Sequence, residues 1–256
     1  MLKISIITVC FNSENTIRDC IESVLAQTCE NIEYIIVDGA SNDKTAGLIR
    51  LYEGRVSRFI SEKDRGIYDA MNKGLAMATG DIIGFLNSDD FFSSDDVLSK
   101  VAEAFATTRA PVVFGDLVFV DSLDLKKVAR YYSVPGFKPW WLRFGIMPPH
   151  TATFLRREIF EKYGNFQVDY RIAADYEYFV RICWKHGVEY QHIPLLVNRM
   201  RSGGVSSRGF YSKYILNREI IRGCLANGLY TNFLLLLLKL PYRLFELIKK
   251  PALELK

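Results

Sequence analysis

The apolar positions follow two recurring patterns. Residues 4–9, 32–37 and 82–86 are short β-branched or apolar runs, each closed by a polar, turn-forming cluster. They read as buried parallel strands. Between them lie helical periods over 15–27, where Ile17, Cys20, Ile21, Val24 and Leu25 share a face, over 44–52 and over 67–78. Alternating β and α elements predict a wound α/β sheet, in which ligands bind beyond the carboxyl ends of the strands. Functional residues are therefore sought first in the clusters at 8–14, 38–45 and 87–90. The second half is less regular. Strand patterns occupy 112–121, 128–132 and 190–197, an aromatic and proline-rich connection runs over 135–149, and helical patterns cover 157–163 and 173–186. A Gly/Ser loop at 202–207 then leads to two C-terminal helical stretches.

Composition narrows the class. With 256 residues, 49% apolar and 24% charged, the chain can bury a large core, which excludes disordered, collagen-like and disulfide-scaffold proteins. The net charge of +4 is too small for a nucleic-acid footprint but suits an anionic ligand or surface. The five cysteines form no C-x-x-C pair and are odd in number, so reduced thiols in the cytoplasm are expected, with no zinc site. The N-terminal apolar run is too short for a signal peptide. Lys239, Pro241 and Arg243 interrupt the leucine-rich run 233–238 before it could span a bilayer. Residues 231–250 carry cations at 239, 243, 249 and 250 among large apolar side chains. They suit peripheral contact with the inner face of the cell membrane, or packing against the domain or a second copy in a homodimer.

Several nucleotide motifs are absent. The first strand is followed by Thr8-Val9-Cys10-Phe11-Asn12-Ser13-Glu14 without a glycine, which disfavours a dinucleotide-binding dehydrogenase. Neither a P-loop nor G-x-S-x-G occurs. Asn87-Ser88-Asp89-Asp90 does follow an apolar strand, holding two carboxylates at its carboxyl end. Such a pair suits a hard divalent cation that completes its shell with phosphate oxygens, while capping of the next helix is the plainer alternative.

The series ITVCFN (7–12), VDGASNDKT (37–45), EKDRGIYDAMNKG (62–74), ATGDIIGFLNSDD (78–90) and ADYEYF (174–179) resembles the family 2 glycosyltransferases of the GT-A fold, especially bacterial members that build surface polysaccharides. The resemblance implies a Rossmann-like mixed sheet flanked by helices. Its catalytic domain would span 1–207, with a nucleotide-binding half (1–110) and an acceptor half (111–207), before a helical extension over 208–256. It also implies a metal-dependent, hexosyltransferase-type enzyme. Such an enzyme moves a sugar from a nucleotide-diphosphate donor, UDP-sugar favoured, to a hydroxyl acceptor such as a lipid-linked glycan, with inversion.

Residue by residue, the resemblance places Thr8, Phe11, Asn12 and Glu14 around the base, and Asp38, with Gly39 and Ser41, at the base edge. Asp64, Asn72 and Lys73 would face ribose and diphosphate, Ser88 lies in the metal turn, and Arg199 and Arg201 belong to a loop closing over the donor. Asp89 would ligate Mn²⁺ or Mg²⁺ with Asp90 assisting, although Asn87 stands where the family's first carboxylate is usual. Asp175 would be the general base, with Glu177 as competitor, and His150 and Trp140 would lie on the acceptor side. Tyr68, Met71 and Leu75 read as packing. Two rivals remain in view. A sugar-phosphate nucleotidyltransferase would need a Gly/Arg-rich first loop, which 8–14 lacks, and a non-catalytic nucleotide-sugar subunit is suggested by Asn87.

Overall fold

The computed structural model describes residues 2–203 and 209–239. The first half alternates as expected: β1 (Ile4–Cys10), α1 (Ile17–Leu25), β2 (Ile32–Asp38), α2 (Thr45–Arg50), β3 (Arg58–Ser61), α3 (Ile67–Met77) and β4 (Ile82–Phe85). There follow β5 (Asp90–Phe92), α4 (Val97–Thr107), β6 (Val112–Val120), β7 (Val128–Tyr132), β8 (Thr153–Arg156), α5 (Arg157–Tyr163), α6 (Ala174–Phe179), β9 (Tyr190–Arg201), α7 (Gly209–Ala226) and α8 (Phe233–Leu237). Single turns at Pro139–Phe144 and His150–Ala152 shape the connection into β8, and α6 runs into a wider turn over Val180–Lys185.

Among the described residues the strands form one sheet in the order β3-β2-β1-β4-β8-β6-β9-β5, with β7 beside β6. β1 is parallel to β2 and β4, whereas β8 is antiparallel to both β4 and β6. The sheet is thus mixed. Period-two alternation sends Ile7, Val9, Ile35, Val37, Ile83 and Phe85 into one core and Ile4, Ile6, Cys10, Tyr34, Ile36 and Ile82 into the other. Tyr68, Met71 and Leu75 of α3 close the first face, and α1 and α4 close the second. Both faces are dry, so the strand ends carry the polar chemistry. Strands β3, β5 and β8 lie outside the expected pattern, and β9 continues four residues beyond it.

The helices after residue 209 join the same core. Ile220, Cys224, Leu229 and Leu236 pack with Phe85, Tyr176 and Phe179. The Glu219 carboxylate of α7 accepts the backbone N–H groups of Arg171, Ile172 and Ala173 at 2.8–2.9 Å, holding the chain that leads into α6. All five cysteines are free thiols.

Candidate functional site

At the carboxyl ends of β1 and β2 the two loops are zipped together. Asn12 N–H donates to Ser41 Oγ (2.8 Å), Asn42 N–H to Asn12 Oδ1 (2.9 Å), Ser13 N–H to Thr45 Oγ1 (2.7 Å) and Lys44 N–H to Glu14 Oε2 (3.0 Å). Asn12 adopts a left-handed φ of 51°, a conformation that Asn tolerates better than most residues. Asn12, Glu14 and Ser41 therefore build the loop. Phe11 stands out from it, 59% exposed. A Cβ at Gly39 would lie 2.4 Å from Asp64 Oδ2 and 3.4 Å from the Phe11 ring, so the glycine keeps the backbone bare between these two groups. An exposed aromatic face, bare backbone and a carboxylate thus share one wall. Asp64 Oδ1 is held by Gly66 N–H (2.8 Å), just ahead of α3.

The turn after β4 is tied to this wall through Ser88 and Ser13, whose hydroxyls lie 2.8 Å apart. Asp89 is half-buried at its tip. Arg201 of β9 donates to the Asp89 carbonyl at 2.7 Å and pairs with Asp19 of α1. Beside Asp89, Asn87 Oδ1 and Asp90 Oδ1 are buried acceptors with no hydrogen bond. Among the described residues no three His, Cys, Asp or Glu groups converge. Asp89, with the unpaired Asn87 Oδ1 beside it, offers oxygen ligands of the kind a hard cation takes when a ligand's phosphates complete its shell.

The third component comes from α6. Asp175 Oδ1 accepts the Tyr176 N–H (2.8 Å) and the hydroxyl of Tyr68 (3.0 Å), which also reaches the Ile172 carbonyl (2.6 Å). Burial, then the Asp175 carboxylate, push the Tyr68 hydroxyl far above its usual range, so it is a donor throughout physiological pH. His150 stacks on Phe85 at the end of β4, with ring centroids 5.5 Å apart, and meets Phe166 edge-on. Burial lowers its pKa against the opposing pull of Asp175, and its Nε2 is buried without a partner. Tyr68, in the first turn of α3 and four residues after Asp64, thus carries that helix to Asp175.

Other expected site residues take different places. Thr8 shares the β1 face of Ile6 and Cys10, so it is fully buried, accepting from Tyr34 Oη (3.2 Å) beside Cys20. Asp38 is likewise fully buried, its carboxylate taken by the Ser41 hydroxyl, the Ser61 hydroxyl (2.6 Å), Ser41 N–H (3.1 Å) and the Cys10 thiol. It organises the loop, leaving Asp64 as the carboxylate beside Phe11. Asn72 spends both amide groups on the backbone of Phe166, and Lys73 is turned to Glu62 (2.8 Å) and the Lys63 carbonyl.

Asp90 is buried in β5 rather than presented at the surface. Burial and the neighbouring Asp89 charge push its carboxyl well above the ordinary range. Arg199 and Arg201 lie on β9, not in a loop, because β5 and β6 extend the pairing to residue 201. Arg199 donates to the Ser93 carbonyl. Glu177 is locked to Arg181 (2.8 Å) and Asn227 (2.9 Å), away from Asp175. Trp140 is half-exposed beside Trp141 and Phe144. Tyr68 and Glu219 are the site-shaping residues that sequence reasoning missed. Tyr68 stood in the motif but its helical spacing read as packing, and nothing local marks Glu219. A cavity of about 750 Å³ lined by Arg109, Phe137, Lys138 and His192 includes none of the expected site residues.

Comparisons with known proteins identify the fold and the family. A glycosyltransferase of Mycobacterium tuberculosis (strain ATCC 25618 / H37Rv) is 33% identical over 183 residues, covering 70% of this chain and 68% of its own. A PGL/p-HBAD biosynthesis glycosyltransferase of Mycobacterium bovis (strain BCG / Pasteur 1173P2) is 30% identical over 224 residues, covering 85% and 82%. Among solved structures, S. aureus TarS 1-349 in complex with UDP-GlcNAc superposes with a TM-score of 0.68 at 17% identity, over 90% of this chain and 68% of that one. The mannosyltransferase PcManGT of Pyrobaculum calidifontis, in complex with GDP-Man and Mn²⁺, gives 0.66 at 19%, over 88% and 64%. These share the GT-A fold. The family described as glycosyl transferase family 2 matches residues 5–164, more than half of the chain and including the turns after β1, β2 and β4. The chain belongs to glycosyltransferase family 2.

Proposed function

We propose that the protein is an inverting, metal-dependent transferase that moves a hexosyl group from a nucleotide-diphosphate sugar to a hydroxyl of a lipid-linked glycan during polysaccharide biosynthesis. UDP is the favoured nucleotide. Phe11 stacks on the base, bare backbone at Gly39 admits it, and Asp64 accepts its N–H edge. Mn²⁺ or Mg²⁺ on Asp89 would neutralise charge on the departing diphosphate and orient it. Asp175 takes the acceptor proton as its oxygen attacks the anomeric carbon opposite the leaving group, so one displacement inverts the centre. The leaving diphosphate needs no proton, and one carboxylate suffices.

The observation that carries this reading is the asymmetric bonding of Asp175. Its two hydrogen bonds from described residues fall on Oδ1, leaving Oδ2 to receive a proton. The buried pair of Glu177 with Arg181 supports Asp175 over Glu177 as the base. The acceptor side is completed by His150 and by the half-exposed Trp140, an aromatic face suited to a sugar ring or an acyl chain. The apolar face of α8 would lie on the inner leaflet, where a lipid-linked acceptor is presented.

The test is Asp175→Asn, with nucleoside-diphosphate release from UDP-N-acetylglucosamine and GDP-mannose followed with Mn²⁺ and with chelator. Turnover should fall at least ~10³-fold, within the range for loss of a general base. Donor affinity by calorimetry should stay within about two-fold, because the substitution is isosteric and distant from the base-binding wall. Retained turnover in the variant, or equal turnover with chelator, would overturn the base or the metal assignment respectively.

A further inference from the structure

Tyr68 is a residue for which the packing role expected from its spacing is insufficient. Its ring is buried in the α3 face of the core and lies 5.9 Å from Phe166, but its hydroxyl reaches from α3 to both the 164–173 connection and α6. There its single proton is shared between the Ile172 carbonyl and Asp175 Oδ1. Oδ1 also takes the Tyr176 N–H. Two donors on one carboxylate oxygen fix the plane of the group and draw charge toward that oxygen.

We propose that Tyr68 is a positioning residue for the base: it clamps Asp175 through Oδ1 so that Oδ2 alone faces the acceptor hydroxyl. The inference rests on the reading of Asp175 as general base. It assigns to α3 a second task besides packing. The helix that follows Asp64, and so the donor wall, also sets the direction of the proton acceptor, joining donor and acceptor halves through one rigid element. The carboxylate is supported beneath by α7, where Glu219 caps the N–H groups of Arg171, Ile172 and Ala173. The other titratable groups facing Asp175 are His150, from the turn before β8, and Tyr176 on its own helix. Glu177 and Arg181 neutralise each other on the far side. Tyr68 is therefore the only side-chain hydroxyl among the described residues that donates to Asp175.

Two measurements test this. In the first, 3-fluorotyrosine replaces Tyr68 site-specifically in the full chain, and its ¹⁹F resonance is followed as the pH is lowered. A step should appear as Asp175 gains a proton and should vanish in Asp175→Asn. A step that is absent, or that persists unchanged in Asp175→Asn, would show that the hydroxyl does not serve this carboxylate. In the second, Tyr68→Phe should lower nucleoside-diphosphate release from UDP-N-acetylglucosamine or GDP-mannose about ten-fold while donor KM stays within about two-fold. Unchanged turnover overturns the clamp, and a parallel rise in KM assigns Tyr68 to packing alone. If Tyr68→Phe fails to fold, the fluorine experiment still decides. Should Asp175→Asn itself retain turnover, the base assignment fails whatever the fluorine shows, so the two failures are distinguishable.

Discussion

Two carboxylates two residues apart have opposite fates, and neighbours distant in sequence decide which. Asp175 and Glu177 both sit in the first turn of α6. Asp175 meets the Tyr68 hydroxyl and keeps one oxygen open, whereas Glu177 turns inward to Arg181, whose guanidinium also donates to the Tyr163 and Asn165 carbonyls. Removing one partner of a buried pair strands the other charge. Glu177→Ala should therefore cost about 3 kcal/mol in urea unfolding, with turnover per folded molecule near that of the native protein. Stability within ~0.5 kcal/mol of native, a change typical of surface substitutions, would show the pair to be dispensable. The resemblance favoured Asp175 over Glu177 as the base, but the difference in bonding between the two acids was not legible. It depends on Tyr68, Arg181 and Asn227, which no local pattern places. Asp38 teaches the same lesson in reverse. Its position at the end of β2 was clear, but of the serines that saturate it only Ser41 is local, and Ser61 reaches it once β2 and β3 have paired.

At the scale of elements, the parallel strands β1, β2 and β4 were readable because burial on both faces demands unbroken apolar runs. β3, β5 and β8 were not. They are three or four residues long and contain Arg58, Asp90 or Arg156, so their pairing comes from neighbours already in place. β9 outran its apolar pattern for the same reason. Residues 198–200 pair with β5, and residues 198–201 with the end of β6, which turns an expected phosphate loop into a strand whose arginines brace the turns at Asp89 and Ser93. Helix α3 was located correctly, but its NKG sequence read as a ligand face when Gly74 is a packing position. A Cβ there would lie 2.4 Å from Ile7 Cγ2, a β-branched carbon held in β1. Overpacking costs about 1–3 kcal/mol, against which alanine's helix propensity returns up to about 1. Gly74→Ala should lower the urea midpoint by an equivalent of about 1–2 kcal/mol at unchanged m-value. A stabilised variant would mean that β1 and α3 separate more easily than their packing implies.

At the scale of the whole molecule, the modest positive charge and the leucine-rich end belong to one question, namely how a chain with no membrane-crossing helix among its described residues would meet the lipid-linked acceptor proposed for it. α8 buries Leu236 against the catalytic core and is pinned by the Thr231 hydroxyl on the Arg143 carbonyl and by Lys239 on Asn217. Phe233, Leu234, Leu237 and Leu238 face outward, with Leu234 74% and Leu237 55% exposed. Spacings of one, four and five put all four on one side of the helix. The packed turn Pro139–Phe144, beneath α8, brings the half-exposed Trp140 into the same region. Arg243, Lys249 and Lys250, expected to hold anionic headgroups, lie outside the described residues. The outward leucines are largely exposed, so Leu234→Asp combined with Leu237→Asp should leave the thermal midpoint nearly unchanged while introducing charge into the face that would enter the headgroup boundary. Cosedimentation with phosphatidylglycerol-containing vesicles should fall at least five-fold in this variant, and nucleoside-diphosphate release with water as acceptor should be unaffected. Equal cosedimentation of both proteins would remove α8 from the membrane contact. A loss of association between copies of the chain, seen by sedimentation velocity without vesicles, would assign the same face to a homodimer instead.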